Sequence, residues 1–176
     1  IDIGMLDTHV AWLANQGMNY LSTEQNPDRL GNQHPNIVPY QVMPTSDGYI
    51  VLSIGNDPTF ERFCKLAGEE QLINDPKFKT NADRVSNRDF VTKTLNEITK
   101  RQTSSWWLTE LEKQKIGCGP INTLKEVFSD PHVKAREMVI EMDNQKTGNA
   151  PLRLIANPIK MEDTPPSYRL LSLIHI

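Results

Sequence analysis

A polar segment at residues 29–40 is the feature that most limits how this chain can fold. It reads Arg-Leu-Gly-Asn-Gln-His-Pro-Asn-Ile-Val-Pro-Tyr. In an apolar core its backbone amides and carbonyls would lack partners, so we expect it at a surface. Two prolines, Ile37 and Tyr40 make it too stiff and too apolar for a flexible linker. A rigid loop between regular elements is a common place for a binding surface. We call residues 29–40 the polar loop.

The residues on either side of the polar loop predict regular structure. Apolar side chains recur at near-helical spacing across residues 2–22, which predicts one long helix. After the loop, Tyr40–Pro44 and Tyr49–Ile54 predict two strands, and Asp47-Gly48 between them is a strong hairpin signal. The polar loop therefore connects a helix to a hairpin.

Helical spacing dominates the middle of the chain. Asp57-Pro58 predicts the start of one helix, with the aspartate as its N-cap, and Gly68 predicts its end. Further helices are predicted near residues 82–100 and 104–115. Residues 117–120 read as a tight, extended connector. A second hairpin is predicted toward the end, from strands Met138–Met142 and Leu152–Ile155 with a turn at residues 144–148.

These elements predict an α+β fold, with a long N-terminal helix, a short antiparallel sheet of two hairpins and a helical middle. We expect three parts. Residues 1–39 would be a helix and a linker loop, and residues 40–155 a small α+β domain. Residues 156–176 would be the start of a return linker with an atypical apolar tail.

Composition excludes several classes of function. The net charge of -3 over 176 residues does not suit nucleic acid, because phosphate binding needs a basic face. No run approaches the roughly 18 apolar residues of a membrane span. Cys64 and Cys118 have neither metal-site nor disulfide spacing, so we expect a reducing, cytoplasmic location.

Spacing alone predicts no catalytic group of residues. The four histidines, His9, His34, His132 and His175, include no pair at metal-binding helical spacing, so we expect no metal site. Helix capping is sufficient to explain Asp57 and Asp130. His34 stands out because Pro35 restricts its backbone to extended angles and so fixes its direction.

Several motifs, in this order and at this spacing, resemble one family. They are residues 1–7, 30–40, 45–48, 55–57, 75–78, 81, 84–85, 87–88, 118–123, 127–131, 135–136 and 157–160. The family is the class III CoA-transferases, also called the CaiB/BaiF family, and the resemblance covers roughly residues 1–168. It ends before the apolar tail.

The resemblance implies a fold and a reaction. Family members are interlocked homodimers, in which a large Rossmann-like domain is joined by long linkers to a smaller domain. They move CoA from an acyl-CoA to a free carboxylic acid through an aspartyl intermediate. Coenzyme A is then a co-substrate, and no tightly bound cofactor is expected. The family's nucleophilic aspartate precedes the part matched here, so this chain resembles a fragment with no catalytic residue of its own, inactive in isolation.

The polar loop is the part of this chain to which the resemblance assigns a function. In one family member the corresponding segment is a glycine-rich loop that covers the reacting acyl group, whereas here it has more side chains. We therefore expect the loop to line or gate the acyl site. The predicted substrate-binding residues are Gly31, Asn32, His34, Pro35, Asn36 and Tyr40.

Two alternatives remain open at this point. An acyl-CoA racemase of the same superfamily would use acid and base residues on the α-carbon, and those residues would also precede this chain. A non-catalytic module that associates with itself would use the apolar surface of the helix at residues 2–22.

Overall fold

The computed structural model of the chain describes residues 2–142 and 151–168. Contacts divide the chain into two units, Ile1–Ile121 and Asn122–Ile176. The predicted α+β class is confirmed, since short antiparallel sheets alternate with helices. The predicted domain limits at residues 39 and 155 stay predictions.

The N-terminal region contains two helices where one long helix was predicted. They are α1 (Met5–Ala11) and α2 (Ala14–Thr23). The break occurs where Leu13 N–H donates to the Val10 carbonyl at 3.1 Å and Ala14 takes a left-handed φ of 41°. Apolar spacing cannot reveal a break of this kind. Within the described part of the chain neither helix has a buried residue, so packing does not hold them straight.

A three-stranded antiparallel sheet follows the polar loop. It consists of β1 (Tyr40–Pro44), β2 (Tyr49–Ser53) and β3 (Gly117–Pro120), in the order β1-β2-β3. The predicted hairpin is thus confirmed, with its turn held by Asp47, whose Oδ1 accepts the Ser104 N–H at 2.7 Å. The predicted connector at residues 117–120 is instead a third strand, paired with β2.

Helices cover one face of this sheet. They are α3 (Asp57–Ala67), a short 3-10 helix (Glu70–Asn74), α4 (Asn81–Ser86), α5 (Arg88–Thr99) and α6 (Ser104–Lys113). The single helix predicted near residues 82–100 is interrupted at Asn87. The Asn87 side chain donates to the Asp83 carbonyl at 2.9 Å, and such local bonding competes with helix continuation.

The start of α3 differs from the prediction in one residue. Asn56, not Asp57, is the N-cap, and its Oδ1 accepts the Thr59 N–H at 2.9 Å. Asp57 is therefore free to pair with Arg84, whose Nη2 lies 2.9 Å from its Oδ1. Asn and Asp cap helices about equally well, so the sequence alone does not show which of Asn56 and Asp57 is the N-cap.

The core of the first unit lies between the sheet and these helices. Alternate strand residues such as Met43, Ile50 and Leu52 point into it, as the period of two requires. Trp107 is also buried, and its indole N–H donates to the Thr99 carbonyl at 2.7 Å. Other buried members are Val38, Ile54, Phe60, Phe63, Cys64, Leu72, Phe78, Val91, Leu95, Ile98, Leu111 and Ile116.

The second unit contains two short helices and a hairpin. The helices are α7 (Leu124–Ser129) and α8 (Pro131–Ala135), and the antiparallel strands are β4 (Val139–Met142) and β5 (Leu152–Ile155). Asp130 caps α8 as predicted, accepting from the N–H groups of His132 and Val133. The turn predicted at residues 144–148 and the tail at 169–176 lie outside the described residues.

Candidate functional site

The polar loop runs along the free edge of β1. Gly31 starts this path with a left-handed φ of 62°, which favours glycine. Asn32 Oδ1 then accepts the Val42 N–H at 2.9 Å, and His34 N–H donates to the Tyr40 carbonyl at 2.9 Å. The loop thus supplies hydrogen-bond partners to an edge strand that, among the described residues, has no neighbouring strand on that side.

One helical face of α4 and α5 holds the opposite side of the loop. Asn81 bonds two loop groups, since its Oδ1 accepts the Val38 N–H at 3.2 Å and its Nδ2 donates to the Asn36 carbonyl at 2.9 Å. Arg84 Nε donates to the Val38 carbonyl at 2.7 Å. These contacts satisfy backbone groups that a surface loop would otherwise leave to water.

Arg88 completes this face. Its Nη1 donates to the His34 carbonyl at 3.0 Å and its Nη2 to the Pro35 carbonyl at 2.6 Å. Burial lowers the pKa of Arg88, and the neighbouring Asp89 carboxylate raises it. Arginine pKa values are so high that the group still stays cationic, so both bonds are charge-assisted.

Arg84 is the buried anchor of the same face. Its side chain is fully buried, with Nη1 donating to the Phe78 carbonyl at 2.8 Å and its guanidinium carbon 4.4 Å from the centre of the Phe60 ring. Burial lowers the pKa of Arg84, and the hydrogen bond with Asp57 raises it. The Asp57–Arg84 pair therefore compensates a charge inside the core.

Helix α2 contacts the third side of the loop through two asparagines one helical turn apart. Asn19 and Asn36 exchange a pair of side-chain hydrogen bonds. Asn15 Nδ2 lies 2.9 Å from His34 Nε2. The loop is therefore bonded by β1, by the α4–α5 face and by α2.

The orientation of the His34 ring follows from these contacts. Its Nδ1 accepts the Asn36 N–H at 3.1 Å, so in the neutral ring the proton is on Nε2. An Nε2–H needs an acceptor, which Asn15 provides when its carboxamide presents the oxygen, an orientation assigned from the bonding pattern. The ring stacks on Tyr40, with centroids 5.3 Å apart and planes 10° from parallel. His34 thus carries a hydrogen-bond donor at Nε2, which Asn15 accepts.

The six predicted substrate-binding residues all lie in the polar loop, which β1, α2 and the α4–α5 face hold. Gly31, Asn32, Asn36 and Tyr40 are exposed, whereas His34 and Pro35 are half-buried. The segment from Leu30 to Tyr40 contains no carboxylate. It can therefore offer amide and imidazole hydrogen bonds and a flat aromatic surface, but no carboxylate nucleophile.

An apolar groove of about 560 Å³ lies elsewhere, along α1 and α2. Val10, Leu13, Tyr20 and Leu21 are among its lining residues, and none of the six predicted residues is. In residues 2–142 and 151–168, no three His, Cys, Asp or Glu side chains form a group that could hold a metal ion. The described helices include none with the length and apolar character needed to cross a membrane.

Sequence reasoning assigned no role to the three side chains that hold the loop. Asn81, Arg84 and Arg88 are three and four residues apart, the spacing of one helical face. A polar row at this spacing beside the apolar residues Val85 and Val91 is the signal that could have identified them. Which loop they bind could not have been read from the spacing.

Comparisons with known proteins place the chain in a family. The sequence model of CoA-transferase family III matches residues 1–171. The chain is 39% identical over 168 residues to the succinate–glutarate CoA-transferase of Agrobacterium fabrum, covering 96% of this chain and 42% of that protein. It is 39% identical over 148 residues to the succinyl-CoA:glutarate CoA-transferase of Homo sapiens, covering 84% of this chain and 34% of that protein.

A solved structure has the same fold. A CAIB/BAIF family protein from Brucella suis superposes with a TM-score of 0.71 at 41% sequence identity, over 94% of this chain and 42% of that one. The chain spans less than half the length of these relatives. The match over nearly all of the described residues shows that the chain belongs to CoA-transferase family III.

Proposed function

We propose that this chain is part of an enzyme that moves CoA from an acyl-CoA to a free carboxylic acid, with the polar loop as one wall of its acyl site. The observation that carries the proposal is the family match over residues 1–171, which includes the whole loop. Two proteins at 39% identity are named for succinate and glutarate, so we propose a dicarboxylic acid as the acceptor.

The proposed chemistry uses an aspartate from outside this chain. Its carboxylate attacks the thioester carbonyl carbon and displaces CoA thiolate, which leaves a mixed anhydride. The thiolate then attacks the aspartyl carbonyl, releasing the first acid and forming an aspartyl-CoA thioester. The acceptor carboxylate attacks that thioester and displaces CoA thiolate, which leaves a second mixed anhydride. The thiolate then attacks the acyl carbon of the acceptor in this anhydride. The new acyl-CoA leaves and the aspartate carboxylate is restored.

The polar loop contributes shape and hydrogen bonds to this reaction. The His34 Nε2–H is bonded to the exposed Asn15 side chain, and an acid oxygen that replaces Asn15 would accept it. The exposed amides of Asn32 and Asn36 lie on the same segment. Fixed neutral donors suit the oxygens of a carboxylic acid or a thioester without competing with the nucleophile. Gly31, Pro35 and Tyr40 complete the proposed wall. The full enzyme would be a cytoplasmic homodimer, and this chain alone would be inactive.

A chimaeric enzyme tests the proposal. Residues 1–168 replace the matching segment of the Agrobacterium fabrum protein, and transfer of CoA from succinyl-CoA to glutarate is measured beside the isolated chain. We expect transfer by the chimaera and none by the isolated chain. Transfer by the isolated chain, or a folded chimaera that carries no CoA to any acid, would contradict the proposal.

Two variants of the chimaera separate the loop from the rest of the chain. His34→Ala should raise KM for the acid by about tenfold, the size expected for one lost hydrogen bond. Lys65→Gln, at an exposed position of α3, should leave KM unchanged. Equal KM values in the two variants would show that the loop is not part of the acyl site.

A further inference from the structure

We infer that Arg88 is a positioning residue, which sets the direction of the Pro35–Asn36 peptide and through it the tautomer of His34. The inference rests on the proposed function only for its consequence in catalysis. Its structural content concerns three groups: the Arg88 cation, the Pro35–Asn36 peptide and the His34 imidazole ring.

Arg88 sets the direction in which two loop carbonyls point. Both guanidinium Nη atoms of Arg88 bind carbonyls of consecutive residues, His34 and Pro35. A planar guanidinium presents its donors in a fixed fork, so these two carbonyls are held toward the same side. Proline has no N–H, so the nitrogen of Pro35 offers no hydrogen bond that could hold this turn of the chain.

Peptide geometry fixes the direction of the Asn36 N–H. Among the described residues the cis peptide bond is Val38–Pro39, so the Pro35–Asn36 peptide is trans. In a planar trans peptide the N–H points away from the carbonyl. With the Pro35 carbonyl held toward Arg88, the Asn36 N–H is directed to the other side, where His34 Nδ1 accepts it at 3.1 Å.

The hydrogen bond at Nδ1 sets the state of the imidazole. A neutral ring whose Nδ1 accepts a hydrogen bond must carry its proton on Nε2. The bond made at one ring nitrogen therefore decides what the other nitrogen offers. Arg88 therefore acts on the tautomer through the Pro35–Asn36 peptide, at the ring nitrogen opposite the one that faces Asn15.

The charge of Arg88 is directed at the two loop carbonyls. The ion pairs of the described residues involve Arg84, Arg101 and two lysines, and none of them involves Arg88. The half-buried guanidinium is thus bonded to two backbone carbonyls rather than to a carboxylate. Arg84, by contrast, is fully buried and bonded to Asp57, so its loss would disturb the core.

Nitrogen NMR of the 176-residue chain tests the inference directly. Histidine is labelled with ¹⁵N, the His34 signals are identified by their loss in His34→Gln, and spectra are recorded where the rings are neutral. We expect the Nε2–H tautomer alone in the wild-type chain. In Arg88→Gln we expect a mixture with Nδ1–H, and exchange of the Asn36 amide that is about tenfold faster, as for one lost hydrogen bond.

Two further variants keep the outcome decisive. Arg101→Gln removes an exposed arginine that pairs with Glu69, and it should leave the His34 spectrum unchanged. Arg88→Lys keeps the charge but lacks the fork, so it should give an intermediate tautomer population, which also serves if Arg88→Gln does not fold. A pure Nε2–H tautomer and wild-type Asn36 exchange in every folded Arg88 variant would overturn the inference.

Kinetics of the chimaera then separate this inference from the proposed function. Arg88→Gln should raise KM for the acid while Arg101→Gln does not. An inactive but folded wild-type chimaera would reject the proposed function and leave the NMR result valid. An active chimaera in which Arg88→Gln changes the tautomer but not KM would reject only the effect of Arg88 on acid binding.

Discussion

The side-chain amides of Asn19 and Asn36 form a reciprocal pair, in which Nδ2 of each residue donates to Oδ1 of the other at 3.0 Å. The pair joins α2 to the polar loop. Because none of the residues of α2 is buried within the described part of the chain, such side-chain bonds hold the helix to the loop. Local stability of α2 should therefore depend on this pair.

Asn19→Ala should loosen α2 from the loop. The variant removes two hydrogen bonds to the loop, each worth about 0.5–1.5 kcal/mol, and one to Gln16 within α2, so the free energy of local opening in α2 should fall by about 1–3 kcal/mol. Native-state hydrogen exchange of the α2 amides measures it. Asn74→Ala, at an exposed position of the 3-10 helix, is the matched control. Unchanged protection of α2 in Asn19→Ala would show that other contacts hold the helix.

Arg84→Met should be severely destabilising. It leaves the carbonyls of Val38 and Phe78 without their donor, and each unpaired buried carbonyl costs about 1–3 kcal/mol. Asp57→Asn should cost about 1 kcal/mol, because the Asp57 side chain is 44% exposed and an amide can still accept the bond. Urea unfolding measures both. Equal losses would mean that the ion pair, rather than the two carbonyls, is the main contribution of Arg84.

Gly31→Ala should destabilise the chain through the backbone alone. Gly31 has a φ of +62°, and an added Cβ would meet nothing within 4 Å, so the expected cost of about 1–2 kcal/mol comes from the left-handed conformation. Gly119→Ala is the control, since its Cβ also meets nothing and its φ is not in that region. Urea unfolding of the two variants checks this. A loss at Gly119 as large as at Gly31 would contradict the explanation.

Cys64 should make stability depend on alkaline pH. Burial raises the pKa of the Cys64 thiol from 9.0 to about 12. Above pH 9 the unfolded thiol loses its proton while the folded thiol keeps it, so the free energy of unfolding falls as pH rises from 9 toward 12. The slope approaches about 1.4 kcal/mol per pH unit.

Urea unfolding at pH 8 and pH 10 measures this effect. The loss between the two pH values should be on the order of 1 kcal/mol larger in the wild-type chain than in Cys64→Ala. Cys118→Ala, which changes a half-buried thiol, should retain most of the wild-type loss. An identical pH dependence in the wild-type chain and Cys64→Ala would show that Cys64 ionises equally in both states.

Local signals predicted the elements that depend on local geometry. Asp47-Gly48 identified the first hairpin, and Asp130 identified the start of α8, because a turn or a cap is decided by a few adjacent residues. β3 was missed as a strand because Gly117, Gly119 and Pro120 are residue types depleted in strands. It exists because β2 offers it a hydrogen-bonding edge, which is a tertiary cause.

The polar loop shows the same limit. Its place between a helix and a hairpin was predictable from the surrounding pattern, and its two prolines suggested stiffness. Its bonds to Asn81, Arg84 and Arg88 were not predictable, because those residues are more than forty positions away from the groups they bind. The break before α2 was likewise invisible, since a single left-handed residue at Ala14 does not change the apolar spacing.

The contacts of the polar loop with β1 have a consequence that does not involve any substrate. An edge strand with free N–H and carbonyl groups can pair with a strand of another molecule and start aggregation. Asn32 and His34 occupy the Val42 N–H and the Tyr40 carbonyl of such an edge. The loop therefore also prevents the β1 edge from pairing with a strand of another molecule. Substitutions at Asn32 should therefore lower the solubility of the protein.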